Sequence, residues 1–147
     1  MKCLFVGVVM MEMADFYLGV CSHKVSDQDL EKVTTRVLET FDGVENLSAE
    51  SMDGIAIFLR GNNVSGVLPI GFGESLLFQL IPGLYVELHN LGYSCYPKSP
   101  IVIVICPLNS LIECHMKELK HQGILCTCLP GDDADQDGRY SFKFALI

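Results

Sequence analysis

The chain has 147 residues, half of them apolar and 19% charged, which is enough for one domain with its own core, too short for two comfortable ones, and too apolar for a disordered chain. A formal charge of −8 at pH 7 argues against free-standing nucleic-acid binding, which needs a surplus of Lys and Arg to meet phosphate, although one locally basic face is compatible with that total. Cys3, Cys21, Cys95, Cys106, Cys114, Cys126 and Cys128 form no Cys-x-x-Cys pair and no Cys/His spacing that closes a zinc tetrahedron. Several lie in apolar runs, so the expectation is buried thiols in a reducing, intracellular compartment.

The N-terminal run Cys3 to Met11 behind Lys2 imitates a secretory leader. Glu12 and Asp15 interrupt it, and no small-x-small cleavage site follows at the right distance. It is also too short to span a bilayer, so a buried element or an irregular extension is expected, and no membrane partner. VSDQDLEKVTTRVLETFDG reads as a helix: Ser26 caps it, Asp27 and Asp29 suit its positive end, and Leu30, Val33, Val37, Leu38 and Phe41 recur at helical spacing before Gly43. A second helix starts at Ser48, with Met52, Ile55, Ala56 and Leu59 on one face and Gly61 past its end. NNVSGVLP reads as a turn feeding a short strand.

ESLLFQLIPGLYVELH is helical, with Pro82 and Gly83 expected to kink or divide it. NLGYSCYPKSP is loop by its Gly, Pro and Ser content. IVIVIC, Ile101 to Cys106, reads as a strand buried on both faces of a parallel sheet. PLNSLIECHMKELKHQG is a helix capped by Asn109 or Ser110, with Leu111, Ile112, Met116 and Leu119 inward. ILCTCLP and YSFKFALI are further strands around an acidic loop. The alternation of strands and helices from Val64 onward defines an α/β class with a mainly parallel sheet.

Between the strand ending near Pro69 and the helix that follows lies Ile70-Gly71-Phe72-Gly73-Glu74-Ser75. Glycines in that position let backbone N–H groups turn around phosphate oxygens at a helix N-terminus. Lysine normally reaches the β- and γ-phosphates there, and a Ser or Thr hydroxyl holds Mg²⁺. Glu74 stands at the lysine position; a carboxylate about 4 Å from a phosphate charge repels by about 4 kcal/mol at an effective dielectric of roughly 20. By itself the loop suits a nucleotide cradle and a tight structural turn equally well.

LPIGFGESLLFQLIP, followed by IVIVICPLNSLIECHMKELKHQGI, resembles the RecQ family of DNA helicases in superfamily 2, over about Leu47 to Ile124. That family has a Pro-Thr-Gly-x-Gly-Lys-Ser loop leading to a helix with an aromatic-Gln pair, which Phe78 and Gln79 match. A strand then ends in Ser-Pro-Leu, matched by Cys106, Pro107 and Leu108, and the next helix closes with a leucine and Gly-Ile, matched by Leu119, Gly123 and Ile124. The resemblance implies a partial RecA-like (P-loop) three-layer lobe over residues 46–147; residues 1–45, outside it, are expected to form an N-terminal extension and helix. It implies ATP at Ile70, Gly71, Phe72, Gly73, Glu74 and Ser75, with Mg²⁺ on Ser75, and single-stranded or forked DNA along Pro107, Leu108, Asn109 and Ser110. The activity implied is ATP-dependent 3′→5′ unwinding in DNA repair or recombination.

The sequence departs from the family at four places. Glu74 replaces the lysine, Ile70 the threonine, and Ser51 the glutamine of the adenine-reading segment; the Asp-Glu-x-His motif and the second lobe are not met before Ile147. Phosphoryl transfer rests on charge placed around the γ-phosphate, so the expectation is a fragment unable to hydrolyse ATP or unwind alone, with no catalytic residue of its own. A non-enzymatic interaction module, a decayed helicase copy, or another nucleotide-binding α/β protein are the alternatives. Elsewhere, Asp133, Asp135, Asp137 and Gly138 imitate the first half of a calcium loop, but its twelfth position is Phe144, so a solvated acidic loop is expected. Lys117, Lys120 and His121 are expected on a solvated helix end, and His115 at the surface or half-buried.

Overall fold

Ser26 opens the first helix, α1 (Asp27–Leu38), by accepting the Asp29 N–H at 3.1 Å. Ser48 does the same for α2 (Ala49–Leu59), accepting from Ser51 at 3.2 Å. Each cap satisfies one of the donors that a helix start leaves without an internal partner. The structure, a computed structural model, describes residues 7–11, 25–44, 46–62, 64, 74–106, 109–128 and 143–146. Its contacts separate two compact units, Glu12–Pro100 and a second formed by Met1–Met11 with Ile101–Ile147.

In the Glu12–Pro100 unit, α1 buries Leu30, Val33, Val37 and Leu38, with Phe41 just beyond its end, the five apolar positions that recur at helical spacing. α2 buries Ile55 and Leu59, while Met52 and Ala56 are half-buried. Gly43 and Gly61 follow the two helices at φ 78° and 81°, a left-handed conformation that glycine adopts without a Cβ penalty. Both helices pack on α3 (Glu74–Asn90), so the first helix belongs to the same unit as α2 and α3 rather than to a separate extension. Asp29 meets Tyr93, Arg36 meets Glu87, and Val37 meets Gly83, so α1 and α3 run antiparallel.

α3 passes Pro82 without dividing, so of the two outcomes expected there the division does not occur. Proline in a helix interior costs about 3 kcal/mol or more. Against this, Leu80, Leu84 and Leu88 are fully buried, each worth roughly 1.5–3 kcal/mol, and they flank the proline on both sides. The unit's loop after α3 is tied back to the helices. Tyr93 donates to Asp29 at 2.7 Å, the Tyr96 hydroxyl donates to the Leu59 carbonyl, and His89 Nδ1 lies 2.8 Å from the Tyr96 carbonyl. Tyr85 and Tyr96 meet edge to face at 5.0 Å between ring centres.

The other unit holds β1 (Gly7–Met11), β2 (Ile101–Cys106), α4 (Asn109–His121), β3 (Thr127–Cys128) and β4 (Lys143–Leu146). The strand order is β1-β2-β4-β3, and each ladder is antiparallel. Gly7 pairs with Ile105 and Met11 with Ile101, so Gly7–Met11 of the apolar N-terminal run is a strand at one edge of the described sheet. β2 and β3 therefore share a direction, joined by α4 as a crossover, with β4 inserted between them. This corrects the expectation of mainly parallel pairing for the described strands. A parallel neighbour needs a crossover of a dozen or more residues, usually helical, and the Asp- and Gly-rich sequence from Leu129 to Phe142 has no helical pattern, so β4 returns antiparallel beside β3. β2 shows the consequence: Val102 and Val104 are buried while Ile101 and Ile103 are half-buried, the alternation of a sheet covered unequally on its two faces. The strand expected before the glycine loop lies in residues 65–73, outside the described residues; Val64 is exposed.

Two outcomes follow from this packing. A Cβ on Gly83 would sit 2.9 Å from Val37 Cγ1, and valine is stiff about χ1. Gly83→Ala is therefore expected to destabilise the fold by about 1–3 kcal/mol in urea denaturation, despite the roughly 1 kcal/mol that alanine gains in a helix, and Val37→Ala in the same chain should recover part of the loss. Burial pushes the phenols of Tyr85 and Tyr96 up to about 12 from 10.0, helped by the neighbouring Tyr96 and Tyr93 respectively and opposed at Tyr96 by Arg60. Between those values the unfolded chain has released protons that the fold retains, so stability should be unaffected by these groups below pH 10 and fall as pH rises from 10 to 12. Denaturant midpoints across that window should show the fall, and Tyr85→Phe should make it shallower.

Candidate functional site

Of the six residues of the glycine loop, Ile70, Gly71, Phe72 and Gly73 lie outside the described residues. Glu74 is the first residue of α3, and Ser75 follows it in the first turn, half-buried. The first-turn N–H groups of a 17-residue helix lack intrahelical acceptors and carry the positive end of its dipole. A carboxylate-bearing residue at that first position stabilises the helix by about 0.3–1 kcal/mol and opposes any other anion there. Glu74 is thus an acidic residue at the place where the family's loop has its lysine.

Residues that match or replace positions of the family pattern near the loop lie in the core. Phe78 and Gln79 are each 3% exposed. Gln79 Nε2 is buried and has no hydrogen-bond partner among the described residues. Ser51, at the adenine-reading position, is 5% exposed, and its hydroxyl accepts from the Ser48 hydroxyl at 3.0 Å. It serves the start of α2.

The second candidate segment, in the other unit, has the layout of a strand, a two-residue connection and a helix. β2 ends at Cys106, and α4 begins at Asn109; Pro107 and Leu108 lie outside the described residues. Asn109 and Ser110 are the first helical residues, not caps before the helix, and Ser110 is exposed. No acidic residue occupies this first turn, so its amides can meet an external acceptor such as a phosphate oxygen without a competing carboxylate. Lys117, Lys120 and His121 are exposed, with Lys120 and His121 in the last turn, where cations favour the negative helix end. His115 is half-buried, and burial holds its pKa below the usual imidazole value against the pull of Glu118.

Two features had no counterpart in the sequence reading. An open groove of about 580 Å³ lies along α1 and α3 beside Arg36, Pro82, Gly83, Glu87 and Lys98, some eight residues or ~12 Å down α3 from Glu74. Cys95 is exposed and disulfide-bonded, Cys114 is an exposed thiol, and Cys126 and Cys128 are half-buried thiols; the expectation of buried thiols therefore fails outright at Cys95 and Cys114 and holds only in part at Cys126 and Cys128. The acidic loop Asp133–Gly138 lies outside the described residues. Among the described residues no group of three or more His, Cys, Asp or Glu is placed to hold a metal ion, and no helix is long and apolar enough to cross a membrane. Comparison with protein-family models, with curated proteins and with solved structures finds no match to this chain.

A buried donor without an acceptor costs about 1–3 kcal/mol, and replacing it by an apolar group of the same shape removes that penalty. Gln79→Met keeps the unbranched shape, so it is expected to raise stability by about 1 kcal/mol, read as a higher urea midpoint at unchanged m-value. A lower midpoint would mean that Nε2 is satisfied in solution.

Proposed function

We propose that the chain is part of a RecQ-like ATP-dependent 3′→5′ DNA helicase, a partial RecA-like lobe that contacts single-stranded or forked DNA and neither hydrolyses ATP nor unwinds DNA alone. The observation that carries this reading is the β2–Pro107-Leu108–α4 arrangement, a strand, a two-residue connection and a helix, at the positions of the family's strand–Ser-Pro-Leu–helix motif. An α4 first turn without an acid suits a DNA phosphate. The start of α3 at Glu74, directly after Gly71 and Gly73, is the layout of a phosphate loop whose charge has been reversed. Work on DNA in the nucleus or another intracellular compartment is the corresponding biological setting.

A second reading, a non-enzymatic interaction module or decayed helicase copy, draws support from β4 lying antiparallel between β2 and β3. Such pairing suits a small independent fold better than one lobe of a motor.

A thermal melt with and without Mg²⁺-ATP separates the two. In the wild-type chain ATP should leave the melting temperature unchanged. Glu74→Lys alone should lower it slightly, because a favourable charge leaves the α3 N-terminus. ATP at about 100 times Kd should then stabilise Glu74→Lys by about 2.7 kcal/mol, several °C. No response in Glu74→Lys removes the nucleotide cradle and leaves the interaction module.

A further inference from the structure

Cys126-Thr127-Cys128 follows α4 and leads into the edge strand β3. Exposure alternates along this stretch: Ile124, Cys126 and Cys128 are half-buried, whereas Leu125 is 91% exposed and Thr127 is exposed. A period of two is that of an extended chain, so Cys126 and Cys128 project from one face. That face is the one turned toward α4, because Cys126 Sγ donates to the Met116 carbonyl at 3.9 Å, and α4 packs on β3.

Two residues apart on an extended chain, the two Cα atoms are ~6.6–7 Å apart, and same-face Cβ atoms lie at a similar spacing. A disulfide needs Cβ atoms about 3.5–4.5 Å apart, so this backbone disfavours the S–S bond, and both residues are thiols. A metal ion accepting two thiolates at roughly 2.3 Å each spans ~4.6 Å between sulfurs, a gap that χ1 rotation at both residues can close. The pair is too wide for a disulfide and well spaced for one bridging ion.

We propose that Cys126 and Cys128 form a two-thiolate site for a soft monovalent cation, Cu(I) in particular. Soft sulfur ligands select Cu(I), which accepts two-coordinate geometry; Zn²⁺ sites take three or four protein ligands, and no group of three is assembled among the described residues. On binding, each thiol releases its proton to solvent, two S–Cu bonds form, and no electron is transferred. The site is independent of the helicase reading and of the glycine loop.

The test uses the whole chain, anaerobic and with the Cys95 disulfide intact, and Cu(I) supplied as its coloured bicinchoninate complex. Cys126→Ser and Cys128→Ser should each withdraw one Cu(I) fewer per chain than wild type, and Cys114→Ser should withdraw as many. Equal withdrawal by wild type and both variants overturns the site, as does an equal loss in Cys114→Ser. A second measurement needs no variant: wild-type chain loaded with Ag(I) is alkylated and its peptides weighed. Protection of Cys126 and Cys128 with Cys114 alkylated supports the site; alkylation of the pair at the rate seen without metal overturns it.

Discussion

Helix α3 is the element on which the Glu12–Pro100 unit depends, and it exists against its own local chemistry. Pro82 removes a backbone donor, and its ring opposes the preceding turn, yet the helix continues to Asn90 because its apolar face is covered. Leu80, Leu84 and Leu88 are fully buried and Phe78 and Ile81 nearly so. The adjoining glycine lets α1 approach closely, with Val37 where a Cβ would otherwise stand. Breaking α3 at Pro82 would expose both halves of that face, which costs more than the missing hydrogen bond. The tyrosines after the helix then attach the following loop to α1 and α2 through Asp29 and the Leu59 carbonyl.

The beginnings of α3 and α4 offer contrasting electrostatics. Both follow short segments that resemble helicase motifs, and both present amides with the positive end of a helix dipole. α3 starts with an acid, whereas α4 has none in its first turn. The two helix starts therefore differ in the charge that their own residues bring to them.

Much of the Glu12–Pro100 unit is legible in the residues. Ser26 and Ser48 cap, Gly43 and Gly61 terminate, and the apolar positions of α1 are buried where helical spacing puts them. The candidate site is less so. Ser51 stands at the adenine-reading position and Gln79 in the aromatic-Gln pair of the family pattern, but their exposure depends on which helix faces cover them, and both are enclosed. The same-face placement of Cys126 and Cys128 has a signal in the sequence, the Cys-x-Cys spacing, that becomes informative only once that stretch is known to be extended. Sheet direction is the other departure: β-branched composition marks β2 as a strand without specifying its neighbours.

The sequence by itself determined what acts over one or two turns: caps, helix stops, the apolar stripe of α1, and the sign of the charge at position 74. Tertiary structure decided the unbroken passage of α3 through Pro82, the antiparallel insertion of β4, and the burial of Ser51 and Gln79. The division has a physical cause. Capping and periodicity are satisfied by groups a few residues apart, whereas burial and strand pairing join residues far apart in the chain, where the free energy of covering apolar surface exceeds the local preference of any single residue.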